Sequence, residues 1–363
     1  MSTISFKNYY NRSTSAALDG AQSVCVSPDN AHVYVAGYAK DGVAAFTREP
    51  NGDLTFIEAY QGTSAGGSIP DMDAPRAIHI SPNGAQVYVV CSNSDSIVVF
   101  DRNATNGQLN LTQVVKDNVG GVSGLNGARE MVGSDDGEWV FAVASFDDAE
   151  TIFKRDTVTG QLSFKGLNES GAADSPYGIT MASNGIDVYV ASSKNDSIIT
   201  YKFNEVDFSL SVNQKLRNGV DGQGLDSVRC VVLSPDGNFL YAAGRTSDAV
   251  SCWSRAADGT LTFVAVYTDT GKGGTIQNLN SPQNLCMSND GSTLWASAYS
   301  SDAVVVFSRD AANGELLQIE SEVDGDNGVN GLNGARGMAQ SPDGQFFYAT
   351  GRNDDAVAVF DVN

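Results

Sequence analysis

Short runs of apolar residues, often alternating with polar ones, recur along the whole chain between clusters of Gly, Asn, Asp and Pro. β-Branched and aromatic residues bounded by such turn formers are typical of strands joined by hairpins. No segment shows a clear helical period. The stretch from residue 77 to 115 illustrates the pattern and predicts four consecutive strands, A to D. They are Ala77–Ser81, Gln86–Cys91, Ser96–Arg102 and Leu109–Val115.

This four-strand pattern occurs seven times. A turn of the type Ser-Pro-Asp-Gly recurs at spacings of 48 to 54 residues, and its last residue serves as an anchor. The anchors are Asn30, Gly84, Gly137, Gly185, Gly237, Gly291 and Gly344. Four positions later stands an aromatic residue: Tyr34, Tyr88, Phe141, Tyr189, Tyr241, Trp295 and Tyr348. Eleven positions after each anchor stands an aspartate: Asp41, Asp95, Asp148, Asp196, Asp248, Asp302 and Asp355. Four-stranded units of this length are typical of propeller blades, since one small sheet cannot bury both faces alone.

The two ends of the chain complement each other. The seventh unit stops at Asn363, just after its strand C, and Ile4-Ser5-Phe6 matches Leu54-Thr55-Phe56, which begins strand D of the first unit. Such closure leaves no open sheet edge at the seam. We therefore predict an all-β fold, a seven-bladed β-propeller of four-stranded antiparallel blades. Residues 1–363 form a single domain, and the N-terminal strand completes the last blade.

Several strand B segments carry a family resemblance. Val33-Tyr34-Val35-Ala36, Val87-Tyr88-Val89-Val90 and Val188-Tyr189-Val190-Ala191 follow Ser-Pro-Asp-Gly-like turns and resemble YVTN-type repeats. The whole chain is similar to the lactonase family of seven-bladed propellers, which includes the 6-phosphogluconolactonase-like proteins. The resemblance implies the propeller fold and hydrolysis of a lactone. Propellers host enzymes and non-catalytic interaction platforms alike, so the site residues have to decide between them.

Strand direction places the D-to-A loops and the B-to-C turns on one face of the ring, which we call the top face. Its long, Gly-rich D-to-A loops, such as residues 118–128 and 324–335, favour it as the binding face. The seven B-to-C aspartates also lie there, and we interpret them as scaffold, with carboxylates that accept hydrogen bonds from turn N–H groups.

A second ring lies eleven residues before the anchors. It consists of Asp19, Asp73, Asn126, Asp174, Asp226, Asn280 and Asn333. Its four carboxylates, Asp19, Asp73, Asp174 and Asp226, are candidate ligands for Ca²⁺. The alternative is that these residues form Asx turns at the entry to strand A. We predict no other cofactor.

A third ring lies eight residues before the anchors, at the start of strand A, the innermost strand. It consists of Gln22, Arg76, Arg129, Tyr177, Arg229, Gln283 and Arg336. Four arginines around a channel mouth favour a carboxylate, phosphate or sugar-acid ligand held by forked hydrogen bonds. The alternative is that each arginine pairs with an acidic loop of the neighbouring blade.

The repeat is broken next to this ring. Most blades have a small residue directly after the ring position, but the third blade has Glu130. His79 stands three residues after Arg76 in the adjacent second blade. Lactone hydrolysis needs a base for water and cations for the developing oxyanion, and Arg76, Arg129, Glu130 and His79 contain both. The alternative for His79, which lies between two isoleucines, is a hydrogen-bonded core histidine.

Two further sets of side chains follow from the same offsets. Arg245, Tyr299, Arg352 and Tyr38 occupy the B-to-C turns of four contiguous blades, where arginine and tyrosine could grip a glycan or an acidic peptide. The alternative is exposed turn residues without a partner. Arginines at the end of strand C lie on the opposite, bottom face and are interpreted as scaffold. They are Arg48, Arg102, Arg155, Arg255 and Arg309.

Composition narrows the partners and the compartment. The formal charge of −21 disfavours nucleic acid and anionic membranes. No run of eighteen apolar residues and no secretory signal is present, and five cysteines without CxxC spacing favour a reducing compartment. We expect a soluble monomer, with the cytoplasm favoured over a secreted mature form.

Two functions follow. The first is a lactonase-like hydrolase for a small anionic or sugar-derived lactone, with Arg76 and Arg129 binding it and Glu130 or His79 activating water. The second is a non-catalytic platform that binds a glycan, a small acid or a protein on the same face. An enzyme predicts Glu130 at an open pocket, whereas a platform predicts a plugged mouth.

Overall fold

Each of the first six sequence repeats folds into one four-stranded antiparallel sheet, in which strands A to D lie side by side in chain order, and the seventh repeat supplies three strands of a sheet of the same kind. The structure is a computed structural model that describes residues 2–363. The sheets are the seven blades of an all-β propeller, as the sequence predicts. Within the described residues, helix is limited to three single turns of 3₁₀-helix, at Ala16–Leu18, Thr63–Ala65 and Thr270–Lys272. No helix among residues 2–363 is long and apolar enough to cross a membrane.

The strands of the first four blades are as follows. Blade 1 contains β2 (Ala21–Val26), β3 (His32–Gly37), β4 (Gly42–Arg48) and β5 (Leu54–Gln61). Blade 2 contains β6 (Pro75–Ile80), β7 (Gln86–Cys91), β8 (Ser96–Arg102) and β9 (Leu109–Lys116). Blade 3 contains β10 (Ala128–Gly133), β11 (Trp139–Ala144), β12 (Ala149–Arg155) and β13 (Leu162–Asn168). Blade 4 contains β14 (Pro176–Met181), β15 (Asp187–Ser192), β16 (Ser197–Asn204) and β17 (Ser209–Arg217).

The remaining strands complete the ring. Blade 5 contains β18 (Val228–Leu233), β19 (Phe239–Gly244), β20 (Ala249–Arg255) and β21 (Leu261–Thr268). Blade 6 contains β22 (Pro282–Met287), β23 (Thr293–Ala298), β24 (Ala303–Arg309) and β25 (Leu316–Val323). Blade 7 contains β26 (Ala335–Gln340), β27 (Phe346–Gly351), β28 (Ala356–Val362) and the N-terminal strand β1 (Ile4–Tyr10).

The N-terminal strand closes the ring. β1 pairs antiparallel with β28, with Ile4 opposite Val362 and Phe6 opposite Phe360. Ile4 is only 3% exposed and belongs to the same apolar cluster as Trp295. Because β28 is strand C of blade 7, β1 takes the place of its strand D, and the predicted closure is confirmed.

The apolar core lies between the blades. In one cluster, Tyr34 and Val43 of blade 1 pack against Val89 and Phe100 of blade 2. A four-stranded sheet has two apolar faces, and stacking it between two neighbours removes both from water. This packing explains why the aromatic four residues after the anchor recurs in every repeat.

The B-to-C aspartates link neighbouring blades. All seven adopt the left-handed backbone conformation, with φ between 48° and 55°, which Asp tolerates better than most residues. Each carboxylate accepts a hydrogen bond of 2.7–2.9 Å from a backbone N–H at the entry to strand A of the next blade, as Asp302 does from Gly334. The donor therefore lies in the next blade and not in the aspartate's own turn.

Candidate functional site

A β-bulge at the start of every strand A shapes the channel. The pairing of strands A and B slips in each blade at the third-ring residue, for example at Arg129, between Ala128 and Glu130. A bulge inserts an extra residue into one strand and re-aims its side chains. As a result, the consecutive residues Arg129 and Glu130 both line the channel.

The A strands of all seven blades line a central cavity of about 560 Å³. All members of the third ring contribute to its wall: Gln22, Arg76, Arg129, Tyr177, Arg229, Gln283 and Arg336. Glu130 and His79 contribute to the same wall, further along their strands. The channel therefore encloses a cavity that the third ring and the His79–Glu130 positions line together.

His79 and Glu130 form a pair across the junction of blades 2 and 3. His79 Nε2 lies 2.5 Å from Glu130 Oε1, which also accepts a hydrogen bond of 3.0 Å from the Met131 N–H. The His79 side chain is 37% exposed and that of Glu130 is 27% exposed, so water can reach both. His79 is therefore not a buried core histidine, and the two candidate catalytic residues lie in direct contact.

The arginines of the mouth have no acidic partners. Within residues 2–363, no carboxylate lies within 4.0 Å of Arg76, Arg129, Arg229 or Arg336. Arg76 Nε donates to Ser92 Oγ at 3.2 Å and Arg129 Nε to Ser145 Oγ at 2.7 Å. The buried Nε atoms of Arg229 and Arg336 have no hydrogen-bond partner in the described structure. The alternative that these arginines pair with acidic loops is thus wrong, because the acidic loop residues hold backbone N–H groups instead.

Tyrosines separate the guanidinium groups. The ring of Tyr177 lies between Arg129 and Arg229, whose Cζ atoms are 4.7 and 3.9 Å from its centroid. Tyr38 lies between Arg76 and Arg352, at 4.5 and 5.2 Å. Cation–π attraction holds these groups in place while leaving their N–H edges available.

The third ring and the Arg/Tyr patch therefore form one surface. Arg336 stacks on Tyr299 at 4.8 Å, so a ring residue and a patch residue again meet. We name this surface the Arg–Tyr mouth; it consists of Arg76, Arg129, Arg229, Arg336, Arg352, Tyr38, Tyr177 and Tyr299. Arg245 is exposed beside it, and its charge acts on Arg229. The sequence alone predicts the third ring and the Arg/Tyr patch as two separate sets of candidate residues.

The crowding of cations shows in the pKa values of the mouth. Burial, with a contribution from neighbouring guanidinium groups, lowers the pKa of Arg76, Arg129 and Arg229, and that of Arg336 to about 10. Burial alone would raise the pKa of Tyr177, but Arg229 and the other arginines lower it overall. All of these arginines remain charged at neutral pH, so the mouth is strongly positive.

Phe146 is a mouth residue that sequence reasoning missed. It follows Ser145 in the B-to-C turn of blade 3, is 68% exposed, and its ring lies 5.4 Å from the Arg129 guanidinium. The corresponding positions of the other blades carry Ala39, Asn93, Lys194, Thr246, Ser300 and Asn353. A comparison across the repeats would have found this lone aromatic.

The two glutamines of the ring are buried between charged neighbours. Gln283 Nε2 donates to Ser281 Oγ at 3.1 Å, whereas Gln22 Nε2 has no partner among the described residues. A buried amide without a partner costs free energy. A ligand oxygen at the mouth would relieve that cost at Gln22.

The second ring does not form a calcium site. Residues 2–363 contain no group of three or more His, Cys, Asp or Glu side chains that could hold a metal ion. Asp19 lies 3.4 Å from Arg12, and Asp174 lies 3.2 Å from Lys194. Asp73 and Asp226 each lie near one further aspartate, which together with burial raises their pKa. The Asx-turn alternative is wrong as well, because within residues 2–363 no side-chain oxygen of this ring accepts a hydrogen bond from a backbone N–H. The ring acts through its backbone instead: the Asp73 carbonyl, for instance, accepts from the Asn93 N–H.

Three cysteines on the channel wall do not offer a nucleophile. Cys25, Cys230 and Cys286 line the cavity as free thiols. Burial raises the pKa of Cys25 and Cys230 to about 12 and that of Cys286 to about 11. Since only the thiolate is strongly nucleophilic, these side chains serve as packing groups.

Comparisons with known proteins agree with this architecture. Two curated relatives are named 6-phosphogluconolactonase. The protein of Enterobacter sp. (strain 638) is 25% identical over 189 residues, 52% of this chain and 55% of that protein. The protein of Klebsiella pneumoniae (strain 342) is 23% identical over 185 residues, 51% of this chain and 54% of that protein. The alignments thus span about half the length of the relatives.

Solved structures show the same fold. The periplasmic gluconolactonase of Pseudomonas aeruginosa is 20% identical, with a TM-score of 0.66 and coverage of 84% of this chain and 85% of that one. The β-propeller domain of Cps50 (Swd1) from Myceliophteria thermophila is 11% identical, with a TM-score of 0.70 and coverage of 99% and 100%. At these identities the likeness concerns the fold alone.

The family model described as "Lactonase, 7-bladed beta-propeller" matches residues 3–123 and 221–331, which together make up more than half of the chain. The first segment contains Arg76 and His79, and the second contains Arg229 and Gln283. The chain therefore belongs to the seven-bladed β-propeller lactonase family.

Proposed function

We propose that this protein hydrolyses a small lactone that carries a phosphate or carboxylate group. The lactone binds at the Arg–Tyr mouth, and its ring is opened at the His79–Glu130 pair. One observation carries this proposal: arginines without acidic partners and a water-accessible His–Glu pair line the same cavity.

Binding of the charged group follows from the free guanidinium edges. Phosphate and carboxylate oxygens match the forked donors of arginine, and the bond is stronger where the guanidinium is partly desolvated. Arg76 stands three residues before His79 and Arg129 directly before Glu130, so these two arginines are the first candidates for the charged group. The cavity of about 560 Å³ lies within the usual size range for small-molecule sites.

The pair has the arrangement of a general base and its orienting group. When Glu130 accepts the hydrogen of His79 Nε2, the lone pair of the imidazole is left on Nδ1. That nitrogen takes a proton from water as the water oxygen bonds to the lactone carbonyl carbon. An arginine N–H stabilises the negative charge on the carbonyl oxygen. The ring C–O bond then breaks, the imidazolium returns the proton to the leaving oxygen, and the product is an open-chain hydroxy acid.

The relatives guide the choice of the first substrate. The curated relatives are named for a phosphorylated gluconolactone and the Pseudomonas protein for a gluconolactone. We therefore expect a phosphorylated sugar lactone to be turned over faster than the same lactone without its phosphate, because only the former supplies an anion to the mouth.

A pH-indicator assay on purified protein tests the proposal. The panel contains 6-phosphogluconolactone, gluconolactone and an aliphatic lactone, with spontaneous hydrolysis subtracted. We expect Glu130→Gln and His79→Gln to lower kcat by about 100-fold or more. Glu138→Gln is the matched control, since Glu138 lies in the same blade, is exposed and pairs only with Lys154. Wild-type turnover in the Glu130→Gln variant would refute the assigned pair.

A platform function is the second candidate, and the exposed ring of Phe146 beside Arg129 favours it. It predicts that no lactone is hydrolysed while a sugar acid binds at the mouth. Calorimetric titration with 6-phosphogluconate, which is not a substrate, separates the two cases. Saturable binding that is lost in Arg229→Gln, together with no turnover on the panel, would establish a platform.

A further inference from the structure

A second cavity, of about 250 Å³, lies between blades 2 and 3 below the central one. Its wall includes the A-to-B turns of both blades, through Pro82 and Gly137, and apolar side chains of Met131 and Val140. His79 lines both cavities. Ile80, Met131 and Gly133 also line both, so the two cavities adjoin each other beside the candidate catalytic histidine.

A missing side chain creates this space. Gly133 stands at the fourth position after the third ring, where the other blades carry Val26, Ile80, Met181, Leu233, Met287 and Gln340. A Cβ added at Gly133 would meet only the Trp139 carbonyl oxygen, at 3.7 Å. Glycine is thus not required by the backbone at this position, and its effect is to leave the cavity open.

The cavity contains a buried arginine without a carboxylate partner. Arg309 shows the usual arrangement: Nε donates to Tyr241 Oη, one terminal nitrogen to the Gly291 carbonyl, and the other to Asp236 at 2.7 Å. Arg48 and Arg102 likewise reach Asp343 and Asp29. Each of these aspartates lies in the A-to-B turn of the preceding blade, so the pairing is a repeated feature of the ring.

At the junction of blades 2 and 3 this aspartate is replaced by Asn83. Arg155, which is 4% exposed, donates to Tyr88 Oη at 2.7 Å, the Gly137 carbonyl at 3.0 Å and Gln86 Oε1 at 2.6 Å. Asn83 Oδ1 accepts only at 3.5 Å. All of these partners are neutral, so a buried positive charge faces the cavity.

Two carboxylates lie near this charge without pairing with it. Asp101 accepts from Gln86 Nε2 at 3.2 Å and so reaches Arg155 only through a neutral amide. Asp135 lines the cavity at its exposed rim. Lys154, which lies 4.3 Å from the Trp139 ring, pairs with Glu138 outside the cavity.

From these features we infer that the cavity is a second binding site, for a small aromatic carboxylic acid. The carboxylate takes the place of the missing aspartate at Arg155, because a buried guanidinium favours a charged acceptor. The ring lies against Met131 and Val140, in the volume left by Gly133. A cavity of about 150 Å³ is sufficient for benzene, so this one admits a single ring with its carboxylate. Binding here does not depend on the proposed hydrolysis.

Benzoate is the probe for this site. Calorimetric titration of the full chain should show saturable binding. Two variants remove the two features of the site. Asn83→Asp supplies the carboxylate that the other junctions contain, and Gly133→Met fills the cavity with the side chain that blade 6 has at this position. Both should weaken benzoate binding by about tenfold or more, because each removes a desolvated contact.

Matched controls separate this site from the rest of the molecule. Leu233→Met changes the same strand position in blade 5, and Arg229→Gln removes a cation from the Arg–Tyr mouth, which attracts carboxylates independently. In both variants, the part of the benzoate binding that Asn83→Asp and Gly133→Met remove should be the same as in the wild type. Thermal unfolding confirms that each variant is folded. Benzyl alcohol, which lacks the charge, should bind at least about tenfold more weakly than benzoate. Absence of saturable benzoate binding to the wild type would overturn the inference. Binding that is lost in Arg229→Gln but kept in Asn83→Asp and Gly133→Met would also overturn it.

Discussion

Two groups of arginine side chains in this protein differ in what surrounds them. At the bottom of the ring, Arg48, Arg102 and Arg309 donate to aspartates of the neighbouring blade. At the top, Arg229 and Arg336 face other cations and tyrosine rings. The first group holds blades together. The second is buried without a carboxylate partner, which costs stability and is the basis for the ligand site that we propose.

Glu150 is a residue whose effect on stability should depend on pH. It is 1% exposed and accepts hydrogen bonds from Asn168 Nδ2 at 2.6 Å and Tyr201 Oη at 3.2 Å. Burial raises its pKa from 4.5 to about 7. Between these values the folded protein holds a proton that the unfolded chain has lost, so stability falls as pH rises from about 4.5 to about 7. Above that range the cost of the buried charge stays constant.

The variant Glu150→Gln tests this prediction, because glutamine resembles the protonated acid. Urea unfolding should show little difference from the wild type at pH 5. At pH 8 the variant should be the more stable by an amount on the order of 2 kcal/mol. The exposed Glu138→Gln should differ from the wild type by the same amount at both pH values. An equal difference for Glu150→Gln at both pH values would contradict the proposed titration.

At the scale of strands and turns, the chain's fixed offsets were sufficient to predict the architecture. In blade 2, strands B and C have the predicted bounds. Strand A begins two residues earlier, at Pro75, and ends one residue earlier, at Ile80, while strand D ends one residue later, at Lys116. These boundaries depend on Gly, Pro and Asx residues that act locally, which is why a sequence pattern suffices.

The bulge in strand A could not be predicted in the same way. Its position carries glutamine, arginine or tyrosine, and no common residue type marks it. A register slip is decided by pairing with strand B and by the approach of the next blade, which are tertiary effects. Without the bulge, alternation would have sent Arg129 and Glu130 to opposite faces. The sequence places His79 and Glu130 in adjacent blades, but their direct contact also depends on how the blades approach each other and could not be predicted.

The stacking of arginine on tyrosine side chains between neighbouring blades was the other feature that the sequence could not predict. The mouth ring and the Arg/Tyr patch lie sixteen residues apart within a blade, as Arg336 and Arg352 do. Side chains from neighbouring blades bring the two sets together, as Tyr38 of blade 1 does for Arg76 of blade 2. Asn83 and Asn184 were visible in the sequence as the two asparagines among the turn aspartates. What distinguishes them required the structure, in which Arg255 pairs with Asp187 near Asn184, whereas Arg155 has only neutral partners near Asn83.

The N-terminal strand should be essential to the last blade. Deleting residues 2–10 removes β1, which exposes the edge of β28 and the apolar side chains that Ile4 and Phe6 cover. We expect the free energy of unfolding to fall by about 3 kcal/mol or more, since two large apolar side chains lose their burial. Thermal unfolding and light scattering measure the loss of stability and the edge-to-edge association that an open strand promotes.

A peptide supplies the control for this deletion. The peptide with the sequence of residues 2–10 should restore the unfolding midpoint by adding a strand in trans. The same peptide with aspartate in place of Ile4 and Phe6 should not. An unchanged midpoint after the deletion would show that blade 7 is stable with three strands.

Across the whole molecule, the charges are distributed unevenly. The chain carries a formal charge of −21, yet the Arg–Tyr mouth concentrates five arginines around one opening. From a distance an anionic substrate is repelled by the net charge, whereas close to the mouth it is attracted by the guanidinium groups. Screening determines which field it experiences.

This arrangement predicts a maximum in kcat/KM for an anionic lactone as ionic strength increases, if the hydrolysis we propose occurs. The Debye length is about 30 Å at 0.01 M, about 8 Å at 0.15 M and about 3 Å at 1 M salt. Raising the salt from 0.01 M to 0.15 M screens the repulsion by the distant acidic surface and should raise kcat/KM. Raising it further to 1 M also screens the attraction by the mouth and should lower kcat/KM. For uncharged gluconolactone, kcat/KM should not change with ionic strength. Arg352→Gln should lower the maximum of kcat/KM for the anionic lactone, because it removes a cation from the mouth and leaves the acidic surface unchanged. A steady fall from 0.01 M upward would mean that the mouth dominates at every distance and that the acidic exterior plays no part in substrate capture.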